Sequence, residues 1–296
     1  MSAVVTTDSA PAAGAGRGPA IRPRRAWLTR PAVWLVILVV LAITIVPMAY
    51  VIIGGFSTTA QLNANPAGLP HPWVVGNYVS VLTSGTFWDA AGNSAVIAVV
   101  ATATAVTLGT MAAFALSRYE FRGREGVYLL FIAGLLFPLN VAVLPLFLLL
   151  QRIGMLDNIF GVALPEAAFQ LPITILILRP FIRAIPGDLE DAAVVDGASR
   201  LGFFLRVLVP LSRPALTTVG ILTFVFSWNN YLLPLVLLNT GAKFPLPLAV
   251  ADFQSTYSQD TAAVFAFTAL SMVPALAVFV FAQRHIVSAL AGALKG

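Results

Sequence analysis

Few side chains in this sequence are equipped for chemistry, and they are scattered. Its 296 residues include 12 Asp and Glu, 2 His and no Cys, which excludes disulfides and thiol nucleophiles. His71 and His285 lie in separate polar stretches with no clustered carboxylate to join them, whereas a metal needs several converging ligands. No Gly-x-x-x-x-Gly-Lys-Ser/Thr occurs, so the chain lacks the backbone cradle and lysine that hold nucleotide phosphates. Glu166 is the one acid well inside an apolar run. A carboxylate there costs about 2.5–3.5 kcal/mol on insertion scales, so it must face a partner helix or water. It reads more readily as a structural pair, with Arg152 as partner, than as a pathway or proton-relay group, because no second buried acid is present to form a relay.

What remains is recognition. Asn140, Gln170, Trp228, Asn229, Asn230 and Tyr231 offer amides and aromatic faces of the kind that hold hydroxyl-rich solutes; such amides equally bridge packed membrane helices. The longest polar interruption after residue 125 is Asp188 to Pro214, DLEDAAVVDGASRLGFFLRVLVPLSRP. Asp188 is expected to cap a helix from Leu189 to about Val195, with Glu190 and Asp191 near its positive end. Asp196-Gly197 stops that helix, since glycine tolerates a positive φ. Ser199 caps a second helix in which Leu201, Phe204, Leu205 and Leu208 recur at helical spacing and which Pro210 ends. Two short helices about a glycine elbow make a compact knob, and Ala192, Ala193 and Ala198 keep its surface low enough to sit deep in a partner's groove.

The elements that position these residues are membrane helices. Hydrophobic residues make up 59% of the chain and charged ones 10%, with mean hydropathy +0.91, which excludes a soluble globular domain. A bilayer core of about 30 Å needs roughly 20 apolar residues per helix. Six runs qualify: Ala32 to Gly54, Ala90 to Ser117, Gly126 to Gln151, Ile159 to Leu178, Ala215 to Leu238 and Ala262 to Gln283. The alternation of a barrel strand is absent, so the fold class is an all-α membrane protein with six transmembrane helices.

Lys and Arg in short loops stay on the cytoplasmic side. Arg17 to Arg30 precede the first run, Arg118, Arg122 and Arg124 follow the second, Arg179 to Arg213 follow the fourth, and Arg284 and Lys295 follow the sixth; the other side keeps only Arg152 and Lys243. Both termini are therefore expected in the cytoplasm, and the knob with them. The same topology accounts for the net charge of +5 without nucleic acid. Residues 1–30, rich in Ala, Gly, Pro, Ser and Thr, read as a disordered segment ahead of a six-helix domain over 31–296. The uncharged outer loop Gly55 to Trp88 should lie on the membrane surface, with Trp73, Tyr78 and Trp88 at headgroup level. Glycines such as Gly161 read as packing surfaces.

The knob resembles the EAA loop of permease subunits of ATP-binding-cassette importers: Asp191-Ala192-Ala193, two residues, Asp196-Gly197-Ala198, then an apolar helix closing on Val209-Pro210. Asp191 stands where that family usually has Glu. Asn93-Ser94, Ala112 through Arg118, Pro145-Leu146-Phe147, Trp228-Asn229-Asn230-Tyr231 and the ending from Gln283 to Gly296 are similar to the maltose-importer type of second permease subunit. The resemblance covers about residues 30 to 296 and implies a bacterial inner-membrane chain that forms half of a sugar pathway. It implies as partners a second permease, two ATP-binding-cassette ATPase subunits and an extracytoplasmic solute-binding protein. This chain would bind no cofactor, the ATP and magnesium being used by the ATPase. Asp191, Ala192, Ala193, Asp196, Gly197, Ala198, Leu205, Leu208 and Pro210 become the ATPase-coupling residues. An ion-coupled transporter acting as a single chain is the alternative.

Overall fold

The computed structural model describes residues 26–256 and 260–293, and every regular element among them is helical. Residues 1–25 of the segment expected to be disordered lie outside that range, as does Lys295. In chain order the elements begin with α1 (Ala26–Gly54), α2 (Thr59–Ala64), α3 (Gly76–Thr83), α4 (Gly85–Arg118), α5 (Arg124–Gly134), α6 (Leu139–Arg152) and α7 (Ile159–Arg183). There follow α8 (Asp188–Val195), α9 (Arg200–Phe203), a π-helical turn (Phe204–Leu208), α10 (Val209–Leu211), α11 (Arg213–Trp228), α12 (Leu232–Leu237), α13 (Leu246–Thr256) and α14 (Thr261–Ala293).

The chain divides into a unit up to Pro47 and a second from Met48 onward. In the first, residues 33–47 of α1 are exposed; the helix continues into the second, and its stretch Val33–Gly54 reaches a mean hydropathy of 2.9. Three more helices are long and apolar enough to cross a bilayer: α4, α7 and the Thr261–Val280 part of α14. Two bent pairs raise the candidates from four to six, α5 with α6 and the Arg200–Leu211 segment with α11.

The expected third span is thus not one straight helix. α5 and α6 meet at 99°: Pro138 has no N–H to continue the ladder and disfavours helical backbone at Phe137, and Pro138 itself is extended at φ −70°, ψ 130°. The expected fifth span is broken as well. α11 has 16 residues, about 24 Å at 1.5 Å per residue, and stops at Asn229 before the short α12 resumes.

The centre of the second unit is the seam between α4 and α7, the most extensive helix pair in the structure. Ala101, Ala105, Gly109 and Ala113 recur every fourth residue of α4, so they fall on one face. The three alanines are fully buried. A Cβ on Gly109 would overlap the Thr174 methyl of α7, which is the close approach that small residues permit between membrane helices. Toward one end of the seam Ile97, Ala101 and Ala105 pack with Val162, Ala163 and Ala167 of α7 and with Leu233 and Leu237 of α12. Toward the other, where Arg118, Arg183 and Arg213 lie, Ala113 and Phe114 pack with Leu178 and Ile182 of α7, Phe203 and Leu208 of the knob, and Ala215 and Val219 of α11. In the Gly55–Trp88 segment Trp73 and Trp88 are exposed, while Tyr78 donates to the Ile52 carbonyl and lies against Phe56.

Gly161, in the first turn of α7, has no room for a side chain: a Cβ there would run into the Met155 carbonyl oxygen, a backbone atom that cannot step aside. Gly92 on α4 faces open space. Gly161→Ala should therefore destabilise the detergent-purified protein by about 1–3 kcal/mol, read as a lower midpoint of thermal unfolding. Gly92→Ala should leave that midpoint unchanged. Equal midpoints for the two variants would contradict the packing assigned to Gly161.

Candidate functional site

The knob is built by two helix termini set back to back. α8 begins at Asp188 itself, so that residue is the first helical position and not the cap that was expected. The reason is Gly187, whose backbone is already helical at φ −62°, ψ −33° and whose carbonyl takes the N–H groups of Glu190 and Asp191 at 2.7 and 3.1 Å; a capping residue needs extended backbone. The other end follows expectation. Gly197 sits at φ +79°, the Gly197 N–H donates to the Val194 carbonyl and the Ala198 N–H to that of Ala193, at 3.0 and 2.8 Å. That pair of bonds is the Schellman closure. Ser199 then caps α9, its Oγ accepting from the Gly202 N–H at 3.1 Å.

Pro210 does not end the second helix. The segment continues through it to Leu211, and the strain is absorbed one turn earlier. A proline ring clashes with the carbonyl four residues back, here that of Arg206, and cannot donate to it. The backbone widens into the π turn over Phe204–Leu208, with the Val209 N–H bonded to the Phe204 carbonyl five residues away. The turn to α11 comes after Ser212, with a bend of 78°.

This construction gives the knob two faces. Leu208 and Phe203 are wholly buried, Ala193 is part-buried against the same cluster, and Ala198 and Pro210 are also partly covered. On the other face Asp191, Ala192, Asp196, Gly197 and Leu205 are exposed. Two residues read from the sequence only as spacers join them: Val194 is 60% and Val195 86% exposed. Their signal was two apolar side chains in a segment otherwise fit for water, the mark of a surface that another chain covers.

Arginines fasten the knob's end of the bundle. Arg118, the last residue of α4, donates through Nη2 to the carbonyls of Ile182 (3.2 Å) and Ile185 (2.7 Å) at the end of α7. Arg179 of α7 bonds Glu125 at the start of α5, donates through Nε to the Leu116 carbonyl at 3.3 Å, and lies 3.9 Å over the Tyr128 ring.

At the opposite end the polar residues singled out as a solute path fall in three places. Asn140 is exposed in the first turn of α6, at the α5–α6 break. Trp228 is buried, stacked on Phe224 at 5.5 Å and packed with Phe267. Asn229 and Tyr231 are exposed at the α11–α12 break, Asn229 Nδ2 bonding the Val225 carbonyl of its own helix at 2.7 Å. Asn230 turns inward, its Oδ1 accepting from the Leu233 N–H at 3.4 Å.

Glu166 explains that inward turn. It is fully buried, and its carboxylate accepts from the Ser227 hydroxyl, with the Asn230 amide beside it. The expected partner Arg152 is not the one used; Glu166 reaches across to Ser227 in the last turn of α11, just before the break. Gln170 and Thr174 continue its row on α7 and are likewise buried. Close by in sequence, Asp157 clasps the connection that follows α12: it accepts from the N–H groups of Asn239 and Thr240, the Thr240 hydroxyl and, at 2.7 Å, the Lys243 ammonium. The ammonium first, then the hydroxyl and the two amides, hold its carboxyl well below the usual carboxylate range, so the clasp stays charged through neutral and mildly acid pH.

Removing the acceptor from the interior tie leaves the Ser227 hydroxyl stranded. Glu166→Ala should cost on the order of 1 kcal/mol in the unfolding free energy of the purified protein, whereas Glu166→Gln, which keeps an acceptor oxygen, should restore most of it. If Ala is tolerated as well as Gln, the tie does not hold the break.

Comparison with known proteins places this architecture. The family model described as binding-protein-dependent transport system inner membrane component matches residues 105–292. The chain is 37% identical over 246 residues to the diacetylchitobiose uptake system permease protein NgcG of Streptomyces coelicolor, covering 82% of each chain. It is 39% identical over 234 residues to the trehalose transport system permease protein SugB of Mycobacterium tuberculosis, covering 77% of this chain and 84% of that one. It is 31% identical over 259 residues to the arabinooligosaccharides transport system permease protein AraQ of Halalkalibacterium halodurans, covering 86% and 92%. Among solved structures, a chain of a bacterial ABC transporter involved in the import of alginate superposes with a TM-score of 0.75 at 24% identity, over 90% of this chain and 99% of that one, a likeness of fold. With helices fit to cross a bilayer, a relative of matching length at 39% identity and a family model over most of its length, the chain belongs to the inner membrane components of binding-protein-dependent transport systems.

Proposed function

We propose that this chain is a permease subunit of an ATP-binding-cassette importer for a sugar or oligosaccharide, and that it encloses the solute path together with a second permease. The knob segment from Asp188 to Pro214 is the surface gripped by a separate ATPase, and it faces the cytoplasm with both termini. Asp191, Ala192, Ala193, Asp196, Gly197 and Ala198 form its elbow, and Leu205, Leu208 and Pro210 its second helix. The ATPase uses ATP and magnesium; this chain binds neither and hydrolyses nothing. A solute-binding protein outside the membrane delivers the cargo, and Asn140, Gln170, Trp228, Asn229, Asn230 and Tyr231 contribute to the path.

The observation that carries this reading is the two-faced knob. Its inner face is locked into the bundle through Phe203 and Leu208, while its outer face presents Val194, Val195, Leu201 and Leu205 to solvent. A water-facing loop keeps such a surface when a partner covers it. The assignment to carbohydrate rests on the relatives, whose names specify diacetylchitobiose, trehalose and arabinooligosaccharides. Differential contact between knob and ATPase in two nucleotide states would then shift the bundle between two arrangements.

Reconstituted with its permease, ATPase and solute-binding partners, the chain should support uptake that needs ATP and survives collapse of ion gradients. Gly197→Val should lower that uptake at least several-fold while membrane insertion is retained, since a non-glycine residue in the left-handed region costs about 1–2 kcal/mol and a β-branched one more. Uptake by this chain alone, driven by a gradient, or normal uptake and ATPase stimulation in Gly197→Val, would overturn the proposal.

A further inference from the structure

Covalently, the knob is joined to α7 on one side, through Pro186-Gly187, and to α11 on the other. No backbone connects it to α4, although α4 is the helix packed along both α7 and α11. Phe114 of α4 packs against Phe203 and Phe204 of the knob, and the charged bridge between the two is Arg118, at the very end of α4.

Three features of Arg118 stand out. Its Nη2 is fixed by the Ile182 and Ile185 carbonyls, so the guanidinium cannot swing away. Its Nε is buried and, among the described residues, has no hydrogen-bond acceptor. The carboxylate that faces Nε is Glu190 of α8, whose Oε2 stops at 3.8 Å. A hydrogen bond between these groups would need about 2.7–3.2 Å, so an ion pair is present but the bond is not made.

Glu190 is placed for this contact and no other. Of the three acids in the first turn of α8, Asp188 and Asp191 are exposed and only Glu190 is part-buried. It lies one turn before Ala193, which packs against the same cluster as Phe203 and Leu208. Among the described residues its one ion pair is with Arg118. A shift of α8 toward the bundle by less than about 1 Å would bring Oε2 into hydrogen-bonding range of Nε.

We propose that Arg118 is a positioning residue for transport: with Glu190 it forms a latch, open in this structure, that closes to a charge-assisted hydrogen bond when α8 is driven inward and so hands the knob's displacement directly to α4. The latch rests on the reading of the knob as the ATPase-gripped surface. A contact made in one state and not in the other biases the equilibrium between them, whereas a contact made equally in both does nothing. The unmade bond is what gives this pair its leverage.

The test uses the complete reconstituted importer, with solute moved per ATP hydrolysed as the readout and co-purification of the assembly as the check on folding. Glu190→Gln should lower that ratio about five-fold or more, in the usual range of coupling between sites, and Glu190→Asp, one methylene shorter, should fall between. Arg118→Gln should lower it too, and the double variant should be no worse than Arg118→Gln alone. An unchanged ratio in Glu190→Gln, or losses that multiply in the double variant, would overturn the latch. Gly197→Val separates the two levels: if it uncouples transport while Glu190→Gln does not, only the latch fails; if neither has an effect, the coupling reading fails with it.

Discussion

Hydrocarbon is as apolar as leucine, so burying an apolar side chain against another helix gains little over leaving it in lipid. Close packing and the few polar groups that bond across must hold these helices together. The α4–α7 seam is where this chain meets that constraint. Four small residues spaced every fourth position let the two backbones approach. Polar bonds then close the end at the knob: Ser117 Oγ donates to the Arg179 carbonyl at 3.1 Å, and Arg179 Nε to the Leu116 carbonyl at 3.3 Å. α11 packs on both partners of the seam, and α5, α12 and α13 pack on one or other of them directly.

Against this rigid pair two of the other candidate spans are broken. Pro138 separates α5 from α6, and the Asn229–Tyr231 segment separates α11 from α12. A break in a membrane helix frees backbone groups that lipid cannot satisfy, and here the neighbours supply partners. Asn230 accepts from the Leu233 N–H at the start of α12, while the carboxylate of Glu166 holds Ser227 in the last turn before the gap. A buried acid in the membrane thus has a structural reading: it anchors the interrupted helix to the seam. Asp157, by fastening residues 239–243, limits how far the chain beyond α12 can wander.

The helical class and the location of most spans were legible because hydropathy alone dictates them once charges are absent for some 20 residues. The elbow was legible too, since Gly197 and Ser199 act through local backbone chemistry that needs no neighbours. What escaped were features set by context. Whether Asp188 or Gly187 caps α8 depends on the direction from which the chain arrives, and the backbone is already helical at Gly187. Pro138 and Pro145 look alike in a hydropathy profile, yet α6 runs through Pro145 and the chain bends at Pro138. The pairing of Glu166 with Ser227 joins residues 61 apart, and charge complementarity pointed to Arg152, a residue on the wrong side of the turn. The two faces of the knob depended on which leucines the bundle swallows, and helical spacing places Leu205 and Leu208 on one stripe although Leu208 is buried and Leu205 is 54% exposed.

That last difference bears on how the knob can move. An isolated loop with all its apolar residues outward would yield locally when pushed, its backbone bending at Gly187 or Gly197. Here Phe203 and Leu208 are embedded among Phe114, Leu178, Ile182 and Val219, side chains of α4, α7 and α11, in an interior that resists local compression. A force on Val195 or Leu205 therefore meets three helices at once. The π turn over Phe204–Leu208 carries both the exposed Leu205 and the buried Leu208, so the backbone is wider than an ordinary helix where the knob passes from solvent into the bundle. On the coupling role proposed above, this stiff contact to three helices is what would pass a displacement of the knob on to the bundle.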